Sequence, residues 1–156
     1  MDVLGLVGAV VLVGAAALVG SLFSYDGTSE WYRQLEKPEW NPPSWVFGPV
    51  WTFLYILIAL SAWVIWLRRD RANVWPALVV FVVQLLLNAL WSVLFFGLRR
   101  PDLALVEIVL LLAVIVANLV VFWRISRLAG ALLIPYLIWT GFATVLNYMI
   151  WRLNTV

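Results

Sequence analysis

Five long apolar stretches, at residues 3–23, 46–67, 75–97, 103–123 and 131–153, leave this chain few folds to choose from. A hydrocarbon layer of about 30 Å takes roughly 20 apolar residues to cross as a helix, so each stretch is long enough to span it. Within lipid the backbone must satisfy its own polar groups, which a helix does inside a single segment. Charged breaks separate the later stretches: Arg68-Arg69-Asp70-Arg71, Arg99-Arg100-Pro101-Asp102, and residues 124–130. The first stretch lacks the basic start of a signal peptide and runs longer than its apolar core, so it reads as a retained helix. The expectation is an all-α integral membrane protein: one domain over residues 1–156, five transmembrane helices, and a long loop at 24–45.

Composition narrows the chemistry. Apolar residues make up 65 % of the chain and charged residues 12 %, against about 25 % charged in soluble domains. A net charge of +2 with no basic run argues against nucleic acid as a partner. Histidine and cysteine are both absent, which removes disulfides, the usual zinc sites and the common haem ligands. No metal site and no required cofactor are expected.

Let the N-terminal side be side A; five crossings then put loop 24–45 and the C-terminus on the opposite side B. Lys and Arg split five to five, since Arg68, Arg69, Arg71, Arg124 and Arg127 fall on A and Arg33, Lys37, Arg99, Arg100 and Arg152 on B. The positive-inside rule therefore sets no orientation. Trp63, Trp66, Trp75 and Trp123 sit at helix ends near side A, as an interfacial aromatic belt requires.

On side B the tryptophans come with polar partners inside the spans. Gln84, Asn88 and Ser92 recur every four residues, with Trp91 beside them. Tyr136, Thr140, Ala143, Asn147 and Trp151 trace a stripe on the fifth span, with Trp139 at its edge, and the second span opens with Pro49, Trp51, Thr52 and Tyr55. Amides and hydroxyls at such positions serve either to bond helix to helix or to furnish the convergent polar groups of an apolar ligand cavity. For Asn147 the bonding alternative is a tie to the second span.

Residues 31–45 read W-Y-R-Q-L-E-K-P-E-W-N-P-P-S-W and hold three of the eleven tryptophans. Pro38, Pro42 and Pro43 restrict the backbone here. A stiff segment on side B above a cavity is suited to be its lid, with Trp31, Lys37, Pro38, Trp40, Pro42 and Pro43 as its characteristic residues; the alternative is a loop resting in the headgroup layer. Glu107, the one acid inside a span, lies shallow enough to snorkel or to meet Arg99 or Arg100. Ala16/Gly20 and Ala113/Ala117 permit close helix approach, within the bundle or between copies.

Six motifs carry a resemblance. They are W-Y-x-x-L-x-K-P-x-W-x-P-P from Trp31, G-P-V-W-x-x-L-Y from Gly48, Q-L-x-L-N from Gln84, F-F-G from Phe95, P-Y-L-x-W from Pro135 and F-A-T-x-L-N-Y from Phe142. Together they resemble the TspO/MBR family of tryptophan-rich sensory and translocator proteins, over nearly all the chain after the first helix. The resemblance implies a membrane receptor or carrier, often a homodimer, for tetrapyrroles such as protoporphyrin IX or haem, for sterol-like lipids, and for isoquinoline carboxamide-type ligands. It also implies light- and oxygen-dependent porphyrin degradation, for which Trp51 and Trp139 are the candidate photochemical residues. Family pocket positions fall on Tyr32, Trp51, Asn88, Trp139, Ala143 and Leu146; the polar stripes add Trp91 and Asn147. A sterol-type motif falls on Val145, Tyr148 and Arg152. The other reading is a sterol- or lipid-binding translocator or signalling protein without turnover. A bacterial cell-envelope membrane is the expected location.

Overall fold

A computed structural model describes residues 3–27 and 30–155 of the chain. Five helical spans cross the bilayer, making this a multi-pass membrane protein. Helix α1 covers Val3–Gly27, and a single turn, α2, covers Trp31–Gln34. Helix α3 covers Ser44–Trp66, and α4 covers Trp75–Ser92 before widening into a π-helical turn at Val93–Gly97. Helix α5 covers Pro101–Ile125, α6 Arg127–Leu132, and α7 Ile134–Asn154. Every element among the described residues is helical.

Several boundaries differ from the sequence expectation, among them both ends of the fourth span, which runs Pro101–Ile125 rather than 103–123. The connection at 24–45 is shorter, because α1 continues to Gly27 and α3 begins at Ser44; residues 28 and 29 of that connection lie outside the described residues. The fifth span starts at Arg127 rather than 131, with Ser126 as the one residue between α5 and α6. It then breaks at Leu133, because Pro135 has no N–H for the turn before it and so opens a new helix, α7.

Around the bundle the order is α3, α1, α4, α5 and the α6–α7 span, which returns to α3. The return contact is uneven. Near side A, α3 packs closely on α6, and further along it meets α7 only sparsely. Side-chain size explains the difference. Helix α6 offers Ala129 and Gly130, both buried, and Ser61 Oγ donates to the Ala129 carbonyl at 2.7 Å. A Cβ at Gly130 would lie 2.9 Å from the Trp123 Cα, so the α5–α6 hairpin closes this tightly only with glycine there. Toward side B the facing residues are Phe47, Trp51, Trp139 and Phe142, which hold the helices apart. The side A half is a packed apolar core that includes Ile58, Ile65, Phe81, Ile115 and Phe122, with Phe81 stacked on Phe122 at 6.0 Å.

The two pairs of small residues separate. Ala16 and Gly20 face inward, and a Cβ at Gly20 would sit 3.4 Å from Ser92 Oγ. Ala113 and Ala117 face outward on α5. Glu107 corrects its expectation. It is 6 % exposed, and neither carboxyl oxygen has a hydrogen-bond partner among the described residues. Arg100 pairs instead with Asp102, at 2.6 and 2.8 Å, so Glu107 neither snorkels nor meets that arginine. Its place on the stripe of Ala104, Ile108, Leu111 and Ile115 turns it into the bundle.

Candidate functional site

The divergence of α3 from α7 leaves a cavity of about 600 Å³ in the side B half. That falls within the range of roughly 300–1,000 Å³ typical of sites for drug-sized molecules. Its walls come from α1, α3, α4 with its π-turn, and α7, and Tyr32 of α2 enters from the segment above. All eight residues expected to bind ligand line this one space: Tyr32, Trp51, Asn88, Trp91, Trp139, Ala143, Leu146 and Asn147.

Its polar groups are joined to one another. Tyr55 Oη donates to Asn88 Oδ1 at 2.9 Å, and Asn88 Nδ2 donates to Tyr136 Oη at 3.1 Å, linking α3, α4 and α7 through one amide. Trp91 Nε1 donates to Asn147 Oδ1 at 3.0 Å, and Asn147 Nδ2 donates to the Pro101 carbonyl at 2.8 Å. Asn147 therefore ties α7 to α4 and α5, not to the second span as the sequence alternative had it. Both asparagines bond between helices and line the cavity at once, so the two alternatives drawn from the sequence do not exclude each other.

Aromatic rings form most of the remaining wall. Trp51 lies against Tyr55 at 5.3 Å and edge-on to Tyr136 at 6.3 Å. Trp139 meets Phe47 at 5.8 Å, and Trp91 stacks on Phe95 at 5.0 Å. The π-turn helps here by bringing both Phe95 and Phe96 to the cavity, where Tyr32 packs against each. No charged side chain among the described residues lines the space. It offers flat apolar surfaces, several phenol and hydroxyl groups, and two oriented amides.

The side B segment lies against this end of the bundle. Trp31 contacts Phe95 edge-on at 5.7 Å, and Trp40 contacts Phe142 at 5.7 Å. Tyr32 is buried, and its Oη donates to Asn41 Oδ1 at 3.3 Å. Burial raises the Tyr32 phenol above its ordinary pKa, and the bond to Asn41 opposes that rise. Lys37 Nζ stands 4.6 Å over the Tyr32 ring and donates to the Leu35 carbonyl at 2.8 Å. Partial burial lowers its pKa. Pro38, Pro42 and Pro43 punctuate the extended stretch between α2 and α3. Trp45, by contrast, is 75 % exposed and points away.

The sterol-type motif lies elsewhere. Val145, Tyr148 and Arg152 are exposed on the outer face of α7, and none lines the cavity. Lining residues that the sequence reading passed over include Phe47 and the α1 residues Gly14, Ala17, Leu18 and Ser21. The α1 residues left a signal, since Gly14, Ala17, Ser21 and Ser24 recur at helical spacing along one face. The exposed part of the lining belongs to α1 and α3, at Gly14, Leu18, Ser21, Ser44, Gly48 and Thr52. The cavity opens on that side.

Comparison with known proteins places this architecture. The sequence model of the TspO/MBR family matches residues 8–152. The chain is 42 % identical over 144 residues to the tryptophan-rich protein TspO of Chlorobaculum tepidum, covering 90 % of this chain and 89 % of that one. It is 40 % identical to the tryptophan-rich protein TspO of Archaeoglobus fulgidus, covering 99 % of both. Against the human translocator protein it is 40 % identical, covering 87 % of this chain and 82 % of that one. With five spans, an aromatic cavity at one end and a family match across nearly its whole length, the chain belongs to the TspO/MBR family.

Proposed function

We propose that this protein is a membrane receptor or carrier for flat hydrophobic ligands, tetrapyrroles such as protoporphyrin IX or haem foremost. The observation that carries the reading is the cavity of about 600 Å³, walled by Trp51, Trp91 and Trp139 and bearing the oriented amides of Asn88 and Asn147. Ring faces on the wall suit a planar conjugated ligand, and an amide suits a carbonyl or carboxylate on its edge. The relatives' name "translocator protein" agrees with a carrier role in a membrane. Isoquinoline carboxamide-type ligands combine the same two features.

With bound porphyrin, light and dioxygen, the same wall suits photochemical degradation. An indole is readily oxidised, and Trp51 and Trp139 both line the space. Purified protein with protoporphyrin IX, held in darkness and under light, tests both parts. Binding in the dark is the expected result; loss of the porphyrin bands under light with protein, and its absence in a Trp51→Phe/Trp139→Phe double variant that still binds, supports turnover. No change of the porphyrin spectrum on mixing would overturn the ligand reading.

A second reading, a sterol-binding translocator without turnover, draws on the outward-facing Val145, Tyr148 and Arg152. The rings and side chains there face lipid, where a sterol already resides. A homodimer is part of the proposal too, since Ala113 and Ala117 present small residues outward on α5.

A further inference from the structure

Glu36 and Asn154 stand 118 residues apart in sequence and meet at the side B end of the bundle. The Glu36 N–H donates to Asn154 Oδ1 at 3.0 Å, and Asn154 Nδ2 donates to the Glu36 carbonyl at 2.9 Å. Nδ2 also donates to the Ile150 carbonyl at 2.7 Å, one turn back on α7. An amide has two N–H donors, so both are used, and the bond to its own helix orients the carboxamide toward Glu36.

Among the described residues, the other hydrogen bonds of 30–43 run within the segment or to its own flanks. They include Tyr32 to Asn41, Lys37 to Leu35, Asn41 to Pro38 and Asn41 to Pro42. Pro38 has no N–H to contribute. What else fastens the segment to the bundle is ring contact, chiefly Trp31 on Phe95 and Trp40 on Phe142. The reciprocal pair at Glu36 is thus its directional anchor. Both partners are exposed, so water competes for the same groups and the pair can open. Ile150, whose carbonyl orients the amide, lines the cavity beside Leu146.

We propose that Asn154 is the latch of the segment: its carboxamide sets how often residues 31–43 lift from the cavity, and hence how fast ligand exchanges. This rests on reading the cavity as the ligand site and the segment as its cover. Asn154 does not line the cavity, so it is a positioning residue. Because Asn154 stands outside the cavity, its bonds to Glu36 are, on this proposal, independent of ligand. Loosening them therefore speeds entry and exit by a common factor and leaves affinity in place, which general damage to the site would not do.

The chain has no cysteine, so Glu39→Cys, at an exposed position three residues from Glu36, accepts a single nitroxide label. In the full-length protein, Asn154→Ala is expected to raise the label's mobility. Asn154→Asp still accepts from the Glu36 N–H but cannot donate to its carbonyl, and should lie between. With protoporphyrin IX as probe, association and dissociation should both quicken about tenfold in Asn154→Ala, as loss of two exposed hydrogen bonds implies, with Kd held within about twofold. Unchanged label mobility in both variants would overturn the latch whatever the protein binds. A freed label with unchanged exchange rates would overturn the coupling to ligand. Failure of the wild type to bind the probe would overturn the ligand reading and the exchange claim with it, while label mobility still decides whether Asn154 holds the segment.

Discussion

The Asn88 carboxamide accepts a hydrogen bond from Tyr55 and donates one to Tyr136, so leucine at this position strands two phenols at once. Each stranded group costs about 1–3 kcal/mol where water cannot replace the partner. Asn88→Leu is expected to lower the melting temperature and weaken protoporphyrin IX binding together; an unchanged melting temperature would show that the phenols find other partners. Tyr32 gives a pH dependence. Its phenol is raised on docking, so the stabilisation is complete below the free value near 10 and is lost as pH climbs through the higher docked value. Lys37, lowered by burial, acts in the opposite sense. The Tyr32 component should loosen the segment at strongly alkaline pH, and Tyr32→Phe should abolish that component, as read by a nitroxide label at position 39. Sequence periodicity told which residues share a face, and so brought Asn88, Trp91 and Asn147 to one cavity. It carried no information about partners, because a bond such as Trp91 to Asn147 joins residues 56 positions apart.

Among the elements, the five spans were legible because lipid demands long apolar helices, and the bounds fell within a few residues of the structure at most ends. The π-turn at Val93–Gly97 was not legible. Its residues V-L-F-F-G are ordinary for a helix end, and the wider winding coincides with close packing at Gly97, where a Cβ would meet the Phe23 ring at 2.7 Å. Arg99 closes the turn with φ at 53°, a left-handed value unusual outside glycine. The early start of the fifth span was missed for a related reason: Arg127 reads as a loop residue, but it heads a short helix whose small residues dock on α3. The segment between α2 and α3 keeps its shape through proline. Replacing Pro42 and Pro43 by glycine restores freedom to the undocked segment, at about 0.4–1 kcal/mol for each change. The expected outcome is faster ligand exchange with the melting temperature of the bundle maintained; identical exchange would mean that the segment does not cover the site.

As a whole the molecule is two halves in one bundle. Near side A, small residues and stacked rings make a closed core; near side B, large rings prop α3 away from α7 and leave room. The sequence carried this asymmetry in the placement of its polar stripes, and the α1 wall in a helical recurrence of small residues that is faint beside the aromatic motifs. The open side of the cavity, along Gly14, Leu18 and Ser21 on α1 and Gly48 and Thr52 on α3, lies on spans that face lipid. A ligand that enters on that side once residues 31–43 have lifted comes from the bilayer, and its chemical potential is that of a solute in lipid. Occupancy then follows the mole fraction of ligand in the membrane phase rather than its total molarity. For a lipophilic ligand held almost wholly in the apolar phase, doubling the micelle phase at fixed protein and ligand should roughly double the apparent Kd counted on total ligand, by dilution alone. A titration repeated at several detergent concentrations checks this scaling, and affinities for this protein are comparable only when expressed per unit of apolar phase.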